Sequence, residues 1–197
     1  MRLALREEAA PSGVRIYDTA EARSHFPDLQ LPDGDALLAA ATAGPTDLAA
    51  CDRDLFTSAA LAERGRPGPP ALADLWWRRL HAGAPTPVGA PTVQLMATPG
   101  RLLRVYHAAR GVAIAAGLVV RTHISRFDGD GAVLFFSLVD AAGAAVTDDA
   151  PIAALVHAAE GAGGFPLGAR SLRLDPYLLA LRTAMDPAGI MNPEALA

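Results

Sequence analysis

Leu118-Val-Val-Arg-Thr-His-Ile-Ser-Arg-Phe127 is followed by Asp128-Gly-Asp-Gly131 and then by Ala132-Val-Leu-Phe-Phe-Ser-Leu-Val139. The first run alternates in character, and a period of two marks a strand with one buried face. Leu118, Val120, Thr122 and Ile124 share one face, while Arg121, His123 and Ser125 share the other. The Asp-Gly turn and the apolar run to Val139 predict a hairpin return. A sheet built on this hairpin must bury its apolar side against helices.

The flanking sequence supplies them. A strand is predicted over 92–97 and a helix over about 99–116, with Leu102, Leu103, Tyr106, Val112 and Ile114 among its apolar residues. A further helix is predicted over 151–159. Upstream, 14–17 reads as a strand, 19–26 as a small helix capped by Asp18 or Thr19, and Asp33-Gly34 as a turn. The apolar run 36–43 reads as a short buried strand. Pro45 opens a helix to about residue 64, and 71–81 forms another that holds both tryptophans. Residues 1–9 are a short helical candidate, and 174–185 a helix that stops at Asp186-Pro187. The order predicts an α+β fold: a largely antiparallel sheet with helices packed on one face, plus a C-terminal helical tail. Residues 1–160 form the α+β substrate domain in this reading, and 161–197 the loop, helix and tail.

Composition narrows the function. The chain has 197 residues, 51% hydrophobic and 19% charged, enough for one domain with a real core. The net charge is −4 and no basic cluster stands out, which argues against nucleic-acid and anionic-membrane partners. All 17 cations are arginine, so Schiff-base and P-loop lysines are excluded. Cys51 is the single cysteine, which rules out an internal disulfide; it reads as a small packing residue. The first residues become charged too soon for a signal peptide, and no apolar run reaches membrane-spanning length, so a cytoplasmic location is expected.

The polar strand face carries the chemistry. With a simple hairpin register, Gln94, Met96, Phe135 and Ser137 join Arg121, His123 and Ser125 on it. Apolar groups there shed water and polar ones orient a ligand, so Gln94, Met96, Ser125, Phe135 and Ser137 are the substrate-binding candidates. His123 is the candidate acid/base, and Arg121 the group that holds an anionic or carbonyl oxygen. An open sheet with one wet face would show the same alternation. His25, His81, His107, His123 and His157 contain no i, i+4 pair among themselves, so a zinc site is not indicated. Asp128, Asp130 and Gly131 resemble the start of a calcium loop, but no glutamate closes it. Asp148-Asp149 reads as a helix cap, and Gly161-Ala-Gly-Gly164 as a helix-terminating loop rather than a dinucleotide fingerprint. Ser58, Ser137 and Ser171 lack the context of a nucleophile elbow.

The tail Thr183-Ala-Met-Asp-Pro-Ala-Gly-Ile-Met-Asn-Pro-Glu194 resembles the C-terminal signature of FAD-linked oxidases of the vanillyl-alcohol-oxidase type. The stretch from Arg121 to Phe136 is similar to a segment of alkyldihydroxyacetonephosphate synthase-like flavoproteins. His123 and Ser125 match there, and Arg126 replaces a second histidine. Val14-Arg-Ile-Tyr-Asp18, the Gly44-Pro45 helix start and Leu75-Trp-Trp-Arg78 occur in similar order in that family's cap region. The resemblance implies a ferredoxin-like cap domain and an ancestry in flavin oxidation. It also shows what this sequence does not contain: the glycine-rich FAD-binding domain, and the histidine run expected after Gly163-Gly164, where Phe165-Pro-Leu-Gly-Ala-Arg-Ser171 stands. Arg170 and Arg173 could meet an anion there, although surface arginines are the commoner case.

No cofactor is therefore expected from this chain alone, and FAD would come through a partner subunit. The expected partners are a small, partly apolar substrate and an FAD-binding protein, with self-association as another way to cover the face. The alternative is a cofactor-free enzyme or binding protein that performs cyclisation, isomerisation or proton transfer on the polar face. A third reading is a remnant with a structural or regulatory role.

Overall fold

The computed structural model describes residues 4, 9, 11–82, 92–146, 148–167 and 176–188. The expected helix over 1–9 apart from Ala4 and Ala9, most of the 82–91 connection, Arg170, Ser171, Arg173 and the tail beyond Ala188 lie outside these residues.

Six strands form one open sheet: β1 (Gly13–Tyr17), β2 (Leu37–Ala41), β3 (Thr92–Ala97), β4 (Val119–Ser125), β5 (Ala132–Val139) and β6 (Phe165–Leu167). Their order is β2-β1-β4-β5-β3-β6, and every neighbouring pair is antiparallel. The helices are α1 (Thr19–His25), α2 (Thr46–Ala62), α3 (Pro70–Ala82), α4 (Leu102–Ala115), α5 (Asp149–Gly161) and α6 (Pro176–Met185). The fold is α+β, as the alternation and element order predict. No helix among the described residues is long and apolar enough to cross a membrane.

Local chemistry sets the boundaries. Asp18 caps α1 by accepting the Glu21 amide at 2.8 Å, and Asp148 caps α5 by accepting the Ala150 amide at 3.0 Å. Arg126, with φ 55°, ends β4. Asp128 Oδ1 then accepts the amides of Asp130 and Gly131 at 2.9 and 2.8 Å, which closes the hairpin turn.

The main core lies between the sheet and the pair α4–α5. Leu95, Val120, Leu134, Phe136 and Leu138 meet Val105, Ala109, Ala113, Leu155 and Ala159 there. On the same side, α2 brings Phe56 and Ala59 against Val14 and Ala40. On the other side Trp76 of α3 packs with Tyr17 and with Ala22 and Phe26 from α1 and its end, and the face of Gly13 looks onto Trp76, Trp77 and Leu80. The β1–β2 end of the sheet is thus covered on both sides, and the polar face is left for the β4-β5-β3-β6 end.

Three details differ from the sequence reading. Within the run 36–43, Leu37–Ala41 forms a strand that is only half-buried, because it lies at the edge of the sheet with one side unpaired. Cys51 is exposed on α2 rather than packed, since the buried stripe of that helix runs through Phe56 and Ala59. β6, from the 161–197 segment, joins the sheet beside β3.

Candidate functional site

The register brings the expected face residues together. One row across the sheet is Tyr17, His123, Phe135, Gln94 and Leu167; the next is Ser125, Val133, Met96 and Phe165; a third is Arg121, Ser137 and Thr92. All seven residues singled out in the sequence lie in these rows. Exposure is uneven. Ser137 and Val133 are buried and Gln94, Phe135 and Ser125 half-buried, whereas Met96 is 45% and Phe165 53% exposed. The face is therefore apolar and open toward β3–β6, and polar and sheltered toward β4.

His123 stands at the sheltered end. Its ring stacks on Phe135 with centroids 4.6 Å apart and planes 12° from parallel. Its Nδ1 lies 3.1 Å from Glu21 Oε1, and the same oxygen lies 3.1 Å from His25 Nε2. Glu21 is carried by α1, which fills the space beyond the end of β1 alongside the first half of β4. Burial alone would raise the Glu21 carboxyl; hydrogen bonds from His123 and His25 and their charges override it and hold the group at about 2. An ionised carboxylate only accepts, so Nδ1 of His123 and Nε2 of His25 both donate. A neutral His123 then keeps its lone pair on Nε2, the tautomer a general base needs. Tyr17 braces both rings, with centroids 5.2 Å from His25 and 6.1 Å from His123. Its own hydroxyl accepts from Trp76 Nε1 at 3.0 Å, and burial raises its pKa.

Arg121 is half-buried, and its Nη1 donates to Ser24 Oγ at 3.3 Å. Among the described residues no carboxylate forms an ion pair with it. A guanidinium so placed can receive an anionic or carbonyl oxygen.

Sequence reasoning missed Glu21, His25 and Tyr17. A signal was present: Glu21 and His25 stand at i, i+4 just after a capping aspartate, so both lie on one face of α1. Their third partner, His123, is 102 positions from Glu21 and becomes adjacent only through the β1–β4 pairing.

A flavin needs amides or cations for its pyrophosphate. In the densest glycine cluster the amides are already engaged. The Ala162, Gly163 and Gly164 amides donate to the carbonyls that end α5, those of Ala158, Ala159 and Glu160. Arg101 fills the side of Gly163 where a cradle would open. These three amides are therefore not free to hold a pyrophosphate.

An open antiparallel sheet with helices packed against it, and a partly apolar face left open at its β3–β6 end, is an α+β fold. Two solved structures of alkyldihydroxyacetonephosphate synthase, in different crystal forms, share this fold with the chain. The first is 15% identical, with a TM-score of 0.54, and covers 98% of this chain and 41% of its own. The second is 14% identical, with a TM-score of 0.50, and covers 93% of this chain and 39% of its own. The chain thus spans about two fifths of the length of those structures. No protein-family model and no curated protein matches the sequence.

Proposed function

We propose that this chain is a substrate-covering domain derived from an FAD-linked oxidase, and that it works with a separate polypeptide that holds the flavin. Its open face binds a small, partly apolar substrate. Met96, Phe135 and Gln94 form the bed, Arg121 holds an anionic or carbonyl oxygen, and His123 moves a proton through Nε2. Ser125 and Ser137 border this bed. The observation that carries the reading is the Glu21–His123 pair set on the same face as the exposed Met96 and Phe165: an oriented base beside an uncovered apolar surface. The sequence resemblance and the shared fold support the ancestry.

A second reading rests on the Glu21–His123 pair lying wholly within this chain: a cofactor-free enzyme whose His123 shifts a proton in a cyclisation or isomerisation. One experiment separates the two. The tagged chain is isolated from its own cells under native conditions and its flavin absorbance measured. Stoichiometric flavin, brought by a co-purifying FAD-binding polypeptide, is expected. A flavin-free protein with turnover that is lost in His123→Ala would overturn the split-flavoenzyme reading in favour of the second.

A further inference from the structure

The opposite side of the sheet holds a cavity of about 740 Å³, within the roughly 300–1,000 Å³ typical of small-molecule sites. It marks a gap in the helical layer. Its floor is formed by Ile16, Val120, Thr122 and Ile124, where β1 and β4 meet. One wall is a stripe of α4: Leu103, Tyr106, Arg110 and Ile114 recur at helical spacing. The opposite wall is α1 with the turn at Asp33 and Gly34. The stripe of α4 that packs on the sheet is a different one, through Val105, Ala109 and Ala113. Leu103, Ile114 and Val119, all lining this cavity, are 70%, 55% and 39% exposed, so the stripe around it is left without a protein partner in the described structure.

The polar groups inside point to one kind of ligand. Asp18 lines the cavity, and its carboxylate accepts the Glu21 amide at 2.8 Å and the Tyr106 hydroxyl at a long 3.4 Å. Thr122 is 1% exposed, and its hydroxyl has no hydrogen bond of good geometry, although it lies close enough to help lower the Asp18 pKa. Burial nonetheless leaves that pKa above its ordinary value. Two other pairs of charges nearby are matched: Arg23 pairs with Asp33 at 2.8 Å and Arg66 with Asp35 at 3.1 Å. Among the described residues no cation forms an ion pair with Asp18. Arg110 and His107 stand exposed at the rim, and Arg110 acts on Tyr106. A sheltered carboxylate under apolar walls is most stabilised by a cation that brings its own apolar body.

We propose that this cavity is a ligand site separate from the His123 face, and that it takes a small amine: an aliphatic or aromatic body against Ile16, Val120 and Ile114, and an ammonium on the Asp18 carboxylate. Thr122 Oγ1 and Tyr106 Oη complete the ammonium's surroundings. The site needs no flavin and no partner, so its failure would leave the proposal for the other face intact.

Calorimetric titration of the whole chain with phenethylamine, phenethyl alcohol and phenylacetate tests it. Phenethylamine should bind best, and Asp18→Asn should weaken it about tenfold or more, the scale of a lost charge-assisted hydrogen bond. Asparagine caps helices as well as aspartate does, so α1 should survive the change; an unchanged thermal midpoint checks this. Ile114→Trp, at an exposed position, should block the mouth and weaken amine and alcohol alike. Absence of phenethylamine binding at millimolar concentration, equal affinity for Asp18→Asn, or tighter binding of phenylacetate would each overturn the proposal.

Discussion

Glu21 is the residue on which the sheltered end of the face depends. It is 6% exposed, and one of its oxygens serves two imidazoles. Its carboxyl is held at about 2 against an ordinary 4.5. A depressed carboxyl stabilises the fold above its unfolded pKa, and the stabilisation is lost as pH falls through the folded value. Glu21 therefore contributes fully above about pH 4.5 and loses its contribution as pH falls toward 2. The shift corresponds to roughly 3 kcal/mol, an order-of-magnitude figure. In Glu21→Gln, stability at neutral pH should fall by about 1–3 kcal/mol, because buried His25 and partly buried His123 lose a charged acceptor. The acid-induced loss between those pH values should also flatten. Denaturant unfolding across that range measures both, and an acid dependence equal to that of the unaltered protein would contradict this role.

At the scale of elements, the central hairpin is what the sequence states most clearly. β4 was legible because polar and apolar residues alternate along it, and β5 because an apolar run follows the turn at Asp128-Gly-Asp-Gly131. The β4–β5 and β3–β5 registers then placed Arg121, His123, Ser125, Gln94, Met96, Phe135 and Ser137 in adjoining rows. β6 was not legible: it is three residues long with Pro166 in the middle, a pattern that reads as loop and is tolerated only at a sheet edge. The side taken by α3 was not legible either, because hydrophobic periodicity names a helix's buried stripe but not the sheet face it meets. The same limit hid the environment of His123, which α1 supplies from across the chain. Gly131 tests how tightly the hairpin is set. A Cβ there would run into the backbone carbonyl of Ala97 on β3, which cannot swing aside as a side chain can. Gly131→Ala should therefore cost about 1–3 kcal/mol. Unchanged thermal stability would mean that β3 yields more readily than its pairing with β5 suggests.

For the whole molecule, two unlike surfaces flank one sheet. The helical side is closed by α2, α4 and α5 except at the Asp18 cavity. The other side is closed by α3 over β1–β2 and open at Met96 and Phe165. Under the proposed function, the oriented histidine and the exposed apolar patch beside it meet a second body. The most direct test is to titrate the chain into an FAD-binding polypeptide that co-purifies with it from its own cells while following flavin fluorescence. The account predicts a saturable change, weakened tenfold or more by Met96→Glu or Phe165→Glu, since each buries a charge in the contact. No change in flavin fluorescence, or equal affinity for the variants and the unaltered chain, would contradict it.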